Sequence, residues 1–303
     1  MRAEDEPWTL DRHRVRQSFE RAAATYDQAA VLSREVGQRM AERLDLVTLK
    51  PAALLDAGCG TGDGLNELGS RYPDALAVGV DLAHAMTVAV RRRTSDQRSL
   101  ISRVLRTIAR GPSARVVCGD IRALPFKSAG FDLAWSNLVL QWVDDVPAVL
   151  SELGRVLKLD GLLTFSTLGP DTLLELRGAF AAVDAATHVS RFMDMHDIGD
   201  ALVAAGFADP VVDMERITLT YADGEAMMRE LKACGAHNAT SGRARGLTGK
   251  RQWQRMLAEL DRFRVADGRL PATFEVVYGH AWKVAPRTTP DGRAIVHFEP
   301  RRR

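Results

Sequence analysis

Cysteine is scarce in this chain of 303 residues: Cys59, Cys118 and Cys234 stand far apart and no C-x-x-C pair occurs. That excludes a disulfide framework and a cysteine-built zinc site. The seven histidines show no H-x-x-x-H spacing either, so no metal is expected. Long apolar runs are missing too. Nothing approaches the ~18 uninterrupted apolar residues of a membrane span, and the opening MRAEDEPWTLDRHRV lacks the apolar stretch of a secretion signal. A cytoplasmic location is the default expectation, with no membrane partner. An excess of one charge is absent, since 41 Lys and Arg face 39 Asp and Glu. A net charge of +2 is too small to imply nucleic acid.

What remains is ordinary globular composition, 46% hydrophobic and 26% charged, in a chain long enough for two domains or for one large α/β domain with insertions. Val15, Phe19, Ala22 and Tyr26 recur at i, i+4, i+7 and i+11, one face of a helix, and Leu32, Val36, Met40 and Leu44 form a second face that ends before Pro51. Then the period changes. Short apolar runs at 52–58, 75–81, 114–120, 131–137 and 161–168, with helical patterns between them, read as buried parallel strands of βαβ units. The helix at 146–158 is expected to stop at Leu159-Asp160-Gly161, and another runs from Met195 to Gly206. Two further β-like runs, 211–221 and 272–284, flank a mostly helical stretch.

The stretch LLDAGCGTGDG, Leu54 to Gly64, places four glycines in seven residues after the first apolar run. Such a strand-to-helix turn lets backbone N–H groups approach a nucleotide-like ligand. It fails the dinucleotide pattern G-x-G-x-x-G/A, because the last position is Asp63 counted from Gly58 and Leu65 counted from Gly60. The turn reads acidic-x-G-x-G-x-G. Asp56 would repel a pyrophosphate but suits the amino group of a cationic ligand such as S-adenosylmethionine. Asp81 ends the second strand, where a carboxylate accepts from ribose hydroxyls. Asp120 ends the third, with Ile121 to pack on an adenine ring. The expected cofactor set is Asp56, Gly58, Cys59, Gly60, Gly62, Asp81, Leu82, Asp120, Ile121 and Asn137. After the fourth strand, SNLVLQWVDD (Ser136 to Asp145) carries neither the Pro-Pro-aromatic turn of base-directed amino methylation nor a Pro-Cys nucleophile. Trp135 reads as core, and Trp142 equally as core or as substrate contact.

The stretches SFERAAATYDQAAVLSREVGQRMAERL, SNLVLQW, GPDTLLELR and DMHDIGDAL, within a match from about Val15 to Lys283, resemble the malonyl-acyl-carrier-protein O-methyltransferases of biotin synthesis. The resemblance implies a Rossmann-like, seven-stranded methyltransferase sheet, mostly parallel with the last strand antiparallel, with helices on both faces and helical insertions. The expected division is an N-terminal helical cap at 1–50, a methyltransferase domain at 51–285 with a helical insertion at about 222–271, and a tail at 286–303. It implies methyl transfer from S-adenosylmethionine to the free carboxylate of a malonyl thioester on acyl carrier protein, or on coenzyme A, with S-adenosylhomocysteine as product. A carboxylate is already ionised near pH 7, so no general base is expected and catalysis is positioning. Tyr26 and Trp142 are the positioning candidates.

Arg177 and Arg191 are candidates to pair with the malonyl carboxylate or to form solvated salt bridges. Arg243 and Arg245, with Lys250, Arg251 and Arg255, are candidates to attract an acidic carrier protein, against the alternative of plain solvated surface. His196 reads as a helix-start residue. The segment 91–115, with eight arginines and one acid, reads as surface or as a further attractor. A similar fold with similar DTLxELR and LxHW segments occurs in the arginine hydroxylase that assists respiratory complex I assembly. Gln141-Trp142 and the intact glycine turn favour the methyltransferase, and that turn also argues against a non-catalytic relative.

Overall fold

The computed structural model describes residues 9–96, 115–243, 246 and 248–285. Most of the arginine-rich segment, Arg245 and the tail 286–303 lie outside the described residues. Seven strands form one sheet: β1 (Ala53–Ala57), β2 (Leu76–Asp81), β3 (Arg115–Cys118), β4 (Phe131–Asn137), β5 (Leu157–Leu168), β6 (Phe207–Tyr221) and β7 (Leu270–Lys283). Their order is β3-β2-β1-β4-β5-β7-β6. The first five pair in parallel, and β7 lies antiparallel to both of its neighbours, β5 and β6. The expected seven-stranded α/β class is therefore observed.

Strand alternation builds two cores. Leu54, Leu133, Leu162 and Val276 face one side with α3 (Val31–Arg43), α4 (Asp63–Arg71), α7 (Leu174–Ala181), α9 (Gly224–Ala233) and α10 (Lys250–Leu260). Leu55, Ala134, Leu163 and Val277 face the other with α6 (Val146–Val156) and α8 (Met195–Ala204). The fifth helix in chain order, α5 (His84–Asp96), follows β2.

Two expectations are corrected. The helix reading of Val15 to Tyr26 spans a break: α1 (Arg12–Ala22) ends where the Thr25 amide donates to Ala22 O at 2.8 Å, and Tyr26 opens a separate short helix, α2 (Tyr26–Ala29). The Thr25 hydroxyl also donates to Ala233 O at 2.9 Å, a side-chain competition with helix continuation. The second correction lies at Leu157 and Lys158, which are strand and not helix. Leu157 already pairs with Phe131 while Leu162 pairs with Leu133, and the residues between bulge out around Asp160 at φ +61°.

Candidate active site

The turn after β1 is stitched to β2. Gly58 and Cys59 amides donate to Val80 O at 2.8 and 3.0 Å, and the Gly60 amide donates to Asp81 Oδ2 at 2.9 Å. Gly58 sits at φ +87°, and a Cβ there would lie 2.2 Å from Val139. No other residue fits it. Gly60 at φ +50° is open above, its nearest neighbour for a Cβ being the Tyr26 ring at 3.8 Å.

These two glycines floor a cleft that is open at its mouth. Asp81, Leu82 and Met86 line one wall, Asp120 and Ile121 the far end, and Asn137 with Val139 the other wall. Leu10, Arg12, Val15, Phe19, Tyr26 and Trp142 roof it. The roof is pinned from several sides. Glu20 of α1 accepts from the His84 and Ala85 amides at 2.8 Å each, capping α5. The Leu10 amide donates to Asp144 Oδ1 at 2.7 Å, the Asp11 amide to Ala239 O at 2.7 Å, and the Ser241 amide to Thr9 O at 2.7 Å. Trp142 meets Phe19 edge-on, centroids 5.2 Å apart.

Asp81 accepts from the Gly60 and Ala83 amides, the latter at 2.8 Å. Burial pushes its carboxyl up to about 6 against the lowering effect of those amides. Each oxygen retains a second lone pair. At Asp120, burial works upward, but the Arg122 and Arg12 guanidiniums outweigh it and hold the carboxyl below its usual value. Arg122 Nη2 lies 2.9 Å and Arg12 Nη2 2.5 Å from Asp120 Oδ2. Asn137 donates to Ser33 O and accepts from the Ser166 hydroxyl, both at 2.8 Å, which ties the end of β4 to α3 and β5. Burial pushes the Tyr26 phenol up to about 12, partly opposed by the Ser33 hydroxyl, so its O–H is retained at neutral pH.

Three of the expected cofactor residues do not line the cleft. Asp56, 2% exposed, shares the strand face of Leu54 and lies under the first turn of α4, where a Cβ on Gly64 would meet its Oδ2 at 2.6 Å. That oxygen and Trp135 Nε1 are buried and make no hydrogen bond among the described residues. Burial, reinforced by the charge of Asp81, pushes the Asp56 carboxyl up to about 8. Cys59 packs against Gly79, and Gly62 at φ +98° opens α4 against Val90. Both shape the turn from behind.

The arginine candidates are spread out. Arg191 lines a neighbouring cavity that shares Leu10, Val143 and Asp144 with the cleft. Arg177 of α7 lines a third groove, which Arg191 also borders. Neither lines the first cleft. Arg243 turns inward, donating to Thr240 O at 2.8 Å and facing Asp11 at 3.7 Å with its side chain 13% exposed. It braces the roof and is not displayed for docking. Trp135 is core, and His196 is an exposed helix-start residue beside its N-cap Asp194. Sequence reading missed Arg12, Arg122, Phe19 and Asp144, whose roles come from contacts across the fold. Among the described residues no His, Cys, Asp and Glu cluster could hold a metal, and no helix is long and apolar enough to cross a membrane.

The strand order, the glycine turn and the carboxylate beside it define a methyltransferase. A family model described as a methyltransferase domain matches residues 55–165. The fold is similar to the YcgJ protein of Bacillus subtilis, TM-score 0.55 and 15% identity over 83% of this chain and 99% of that one. It is also similar to an S-adenosylmethionine-dependent methyltransferase of Thermotoga maritima, TM-score 0.50 and 18% identity over 89% and 99%. More narrowly, the chain belongs to the malonyl-acyl-carrier-protein O-methyltransferase family. It is 57% identical to the Laribacter hongkongensis protein of that name over 97% of this chain and 98% of that protein, and 52% identical to that of Gallionella capsiferriformans over 95% and 97%. The hydroxylase alternative is set aside on this likeness.

Proposed function

We propose that this protein methylates the free carboxylate of a malonyl thioester borne by acyl carrier protein, using S-adenosylmethionine, in the cytoplasm. The observation that carries the acceptor is the likeness to proteins of that name over nearly the whole length, well beyond the generic domain at 55–165. Malonyl-coenzyme A presents the same reacting group and is the alternative acceptor. We take residues 1–50 as a cap on a domain at 51–285, with 222–271 inserted in it.

The cleft suits the cofactor. Gly58 and Gly60 give a floor without side chains, Asp81 offers acceptors for ribose hydroxyls, and Leu82 and Ile121 offer apolar faces for adenine. Asp120, braced by two guanidiniums, stays ionised to accept from an adenine amino group. When bound, S-adenosylmethionine supplies an electrophilic methyl group next to a positive charge.

The chain then has to desolvate the acceptor carboxylate and aim it. The α1 roof excludes water. Tyr26 stands above Gly60 with its O–H intact and donates to the carboxylate, while Trp142, held by Phe19, covers the apolar part of the acyl group. No base is required, because the carboxylate needs no deprotonation near pH 7. The ester product is neutral, so the hydration that bars a carboxylate from an apolar tunnel is removed.

Incubation with methyl-labelled S-adenosylmethionine and malonyl-carrier protein is expected to label the carrier, and mild alkali to release the label as methanol. A base-stable label, or none, would overturn the carboxyl assignment.

A further inference from the structure

A carrier-borne malonyl group has two anions, the terminal carboxylate that reacts and a phosphodiester at the protein end of the pantetheine arm. The carboxylate has to reach the cofactor cleft. Arg177 and Arg191 do not line that cleft, but they border two hollows that continue outward from it. The first shares Leu10, Val143 and Asp144 with the cleft, and Arg191 stands where it passes into the second.

Arg177 is built to receive an anion. Its Nε is buried without a hydrogen-bond partner among the described residues. Its Nη2 reaches only backbone carbonyls, at long distances of 3.3 Å to Thr172 O and 3.5 Å to Ser190 O. The nearby carboxylates are engaged elsewhere. Asp171 pairs with Arg216, and Asp184 accepts from the Ala186 amide and the Gln252 amide group and meets His188 Nε2 at 2.8 Å. Burial lowers the affinity of Arg177 for its proton, and the charge of Arg191 adds to that despite Asp171. A bound anion would relieve both effects. Gln252 belongs to α10, whose exposed Lys250, Arg251 and Arg255 make no ion pair among the described residues. The groove therefore opens beside a basic helix face suited to an acidic carrier.

We propose that Arg177 and Arg191 form the subsite for the phosphodiester of the acyl-carrier arm, and do not bind the malonyl carboxylate. A guanidinium fork matches phosphate oxygens in charge and geometry. The proposal rests on the malonyl-thioester reading above.

The test compares malonyl-phosphopantetheine with malonyl-pantetheine, which lacks only the phosphate. The wild-type enzyme is expected to prefer the phosphorylated thioester about tenfold in kcat/KM, mainly through KM. Arg177→Gln and Arg191→Gln should bring the ratio near one, with S-adenosylhomocysteine affinity and Tm serving as folding controls. Arg177→Lys should restore part of the preference. An equal loss on both thioesters, or an undiminished ratio, would overturn the proposal. Calorimetry with 4′-phosphopantetheine itself separates the two readings. Binding by the wild type that Arg177→Gln abolishes supports the subsite even if no malonyl thioester is methylated, a result that would overturn only the acceptor assignment. No binding by the wild type would overturn the subsite.

Discussion

The half of the sheet containing β3, β2, β1 and β4 and the half containing β5, β7 and β6 shape their surroundings by different means. In the first, the cleft is shaped mostly by backbone: glycines at positive φ, an amide stitched to Asp81, and strands such as β2 with four consecutive buried residues. In the second, β6 alternates half-buried and exposed positions along an edge, and the grooves beside this half are lined by long charged side chains such as Arg177 and Arg191. Backbone geometry leaves little room for variation. It is the first half, extended into β5, that the general methyltransferase family model matches. Side-chain contacts are easily rewritten, so in the proposed reaction the second half, the acceptor half, is where specificity would be set.

Exchanging a glycine in each half should break this contrast most sharply. Gly58→Ala meets both strained φ and Val139 at 2.2 Å, and is expected to weaken S-adenosylhomocysteine binding on the order of 100-fold or more. Gly279→Ala would press on Phe165 at 2.3 Å in the other half. It should lower stability by about 1–3 kcal/mol with cofactor affinity retained, as melting curves and calorimetry on the two variants would reveal.

Next in size, Asp81→Ala removes a half-buried acceptor pair and should weaken cofactor binding by roughly 1–3 kcal/mol. In the wild type the affinity should fall as the pH drops below about 6, where this carboxyl takes up a proton; the variant's affinity should not follow that curve. Asp56 lies behind the turn, and its test is stability. Its folded value, about 8, lies above its ordinary value of 3.8, so the folded state holds a proton that the unfolded chain releases. The stability it contributes is complete below pH 4 and is lost as the pH rises towards 8. Asp56→Asn should flatten that decline in Tm, whereas a decline of unchanged slope would place the buried proton elsewhere.

The smallest effect belongs to the acceptor half. Arg251→Glu with Arg255→Glu should raise KM for malonyl-carrier protein several-fold at low ionic strength. The effect should fade once the Debye length shrinks to about 3 Å near 1 M salt, and rates with a small malonyl thioester provide the comparison.

The same contrast explains what could be read in advance. The strands, the glycine turn, Asp81 and the core position of Trp135 follow from local pattern, because backbone geometry writes itself into short stretches. The side of the strand occupied by Asp56 was also legible, since it shares parity with Leu54, but placement at a strand end hid it. The break after Ala22 depends on a hydroxyl bond from Thr25 to Ala233, and the inward turn of Arg243 on Asp11. Such pairings join distant parts of the chain and leave no local mark. The bracing of Asp120 by Arg12 is of the same kind.

The roof over the cleft has a consequence for how the protein is made. Thr9 and Asp11 leave the ribosome well ahead of the backbone partners they need, Ser241 and Ala239, from which more than two hundred residues separate them. At about 5–20 residues per second the interval is on the order of tens of seconds. During it a nascent chain can pair β1 with β2 and form the glycine turn, but it cannot fasten the segment that closes the site. The floor of the cleft is thus completed well before its cover, so a chain interrupted before residue 239 would carry the floor without the latch.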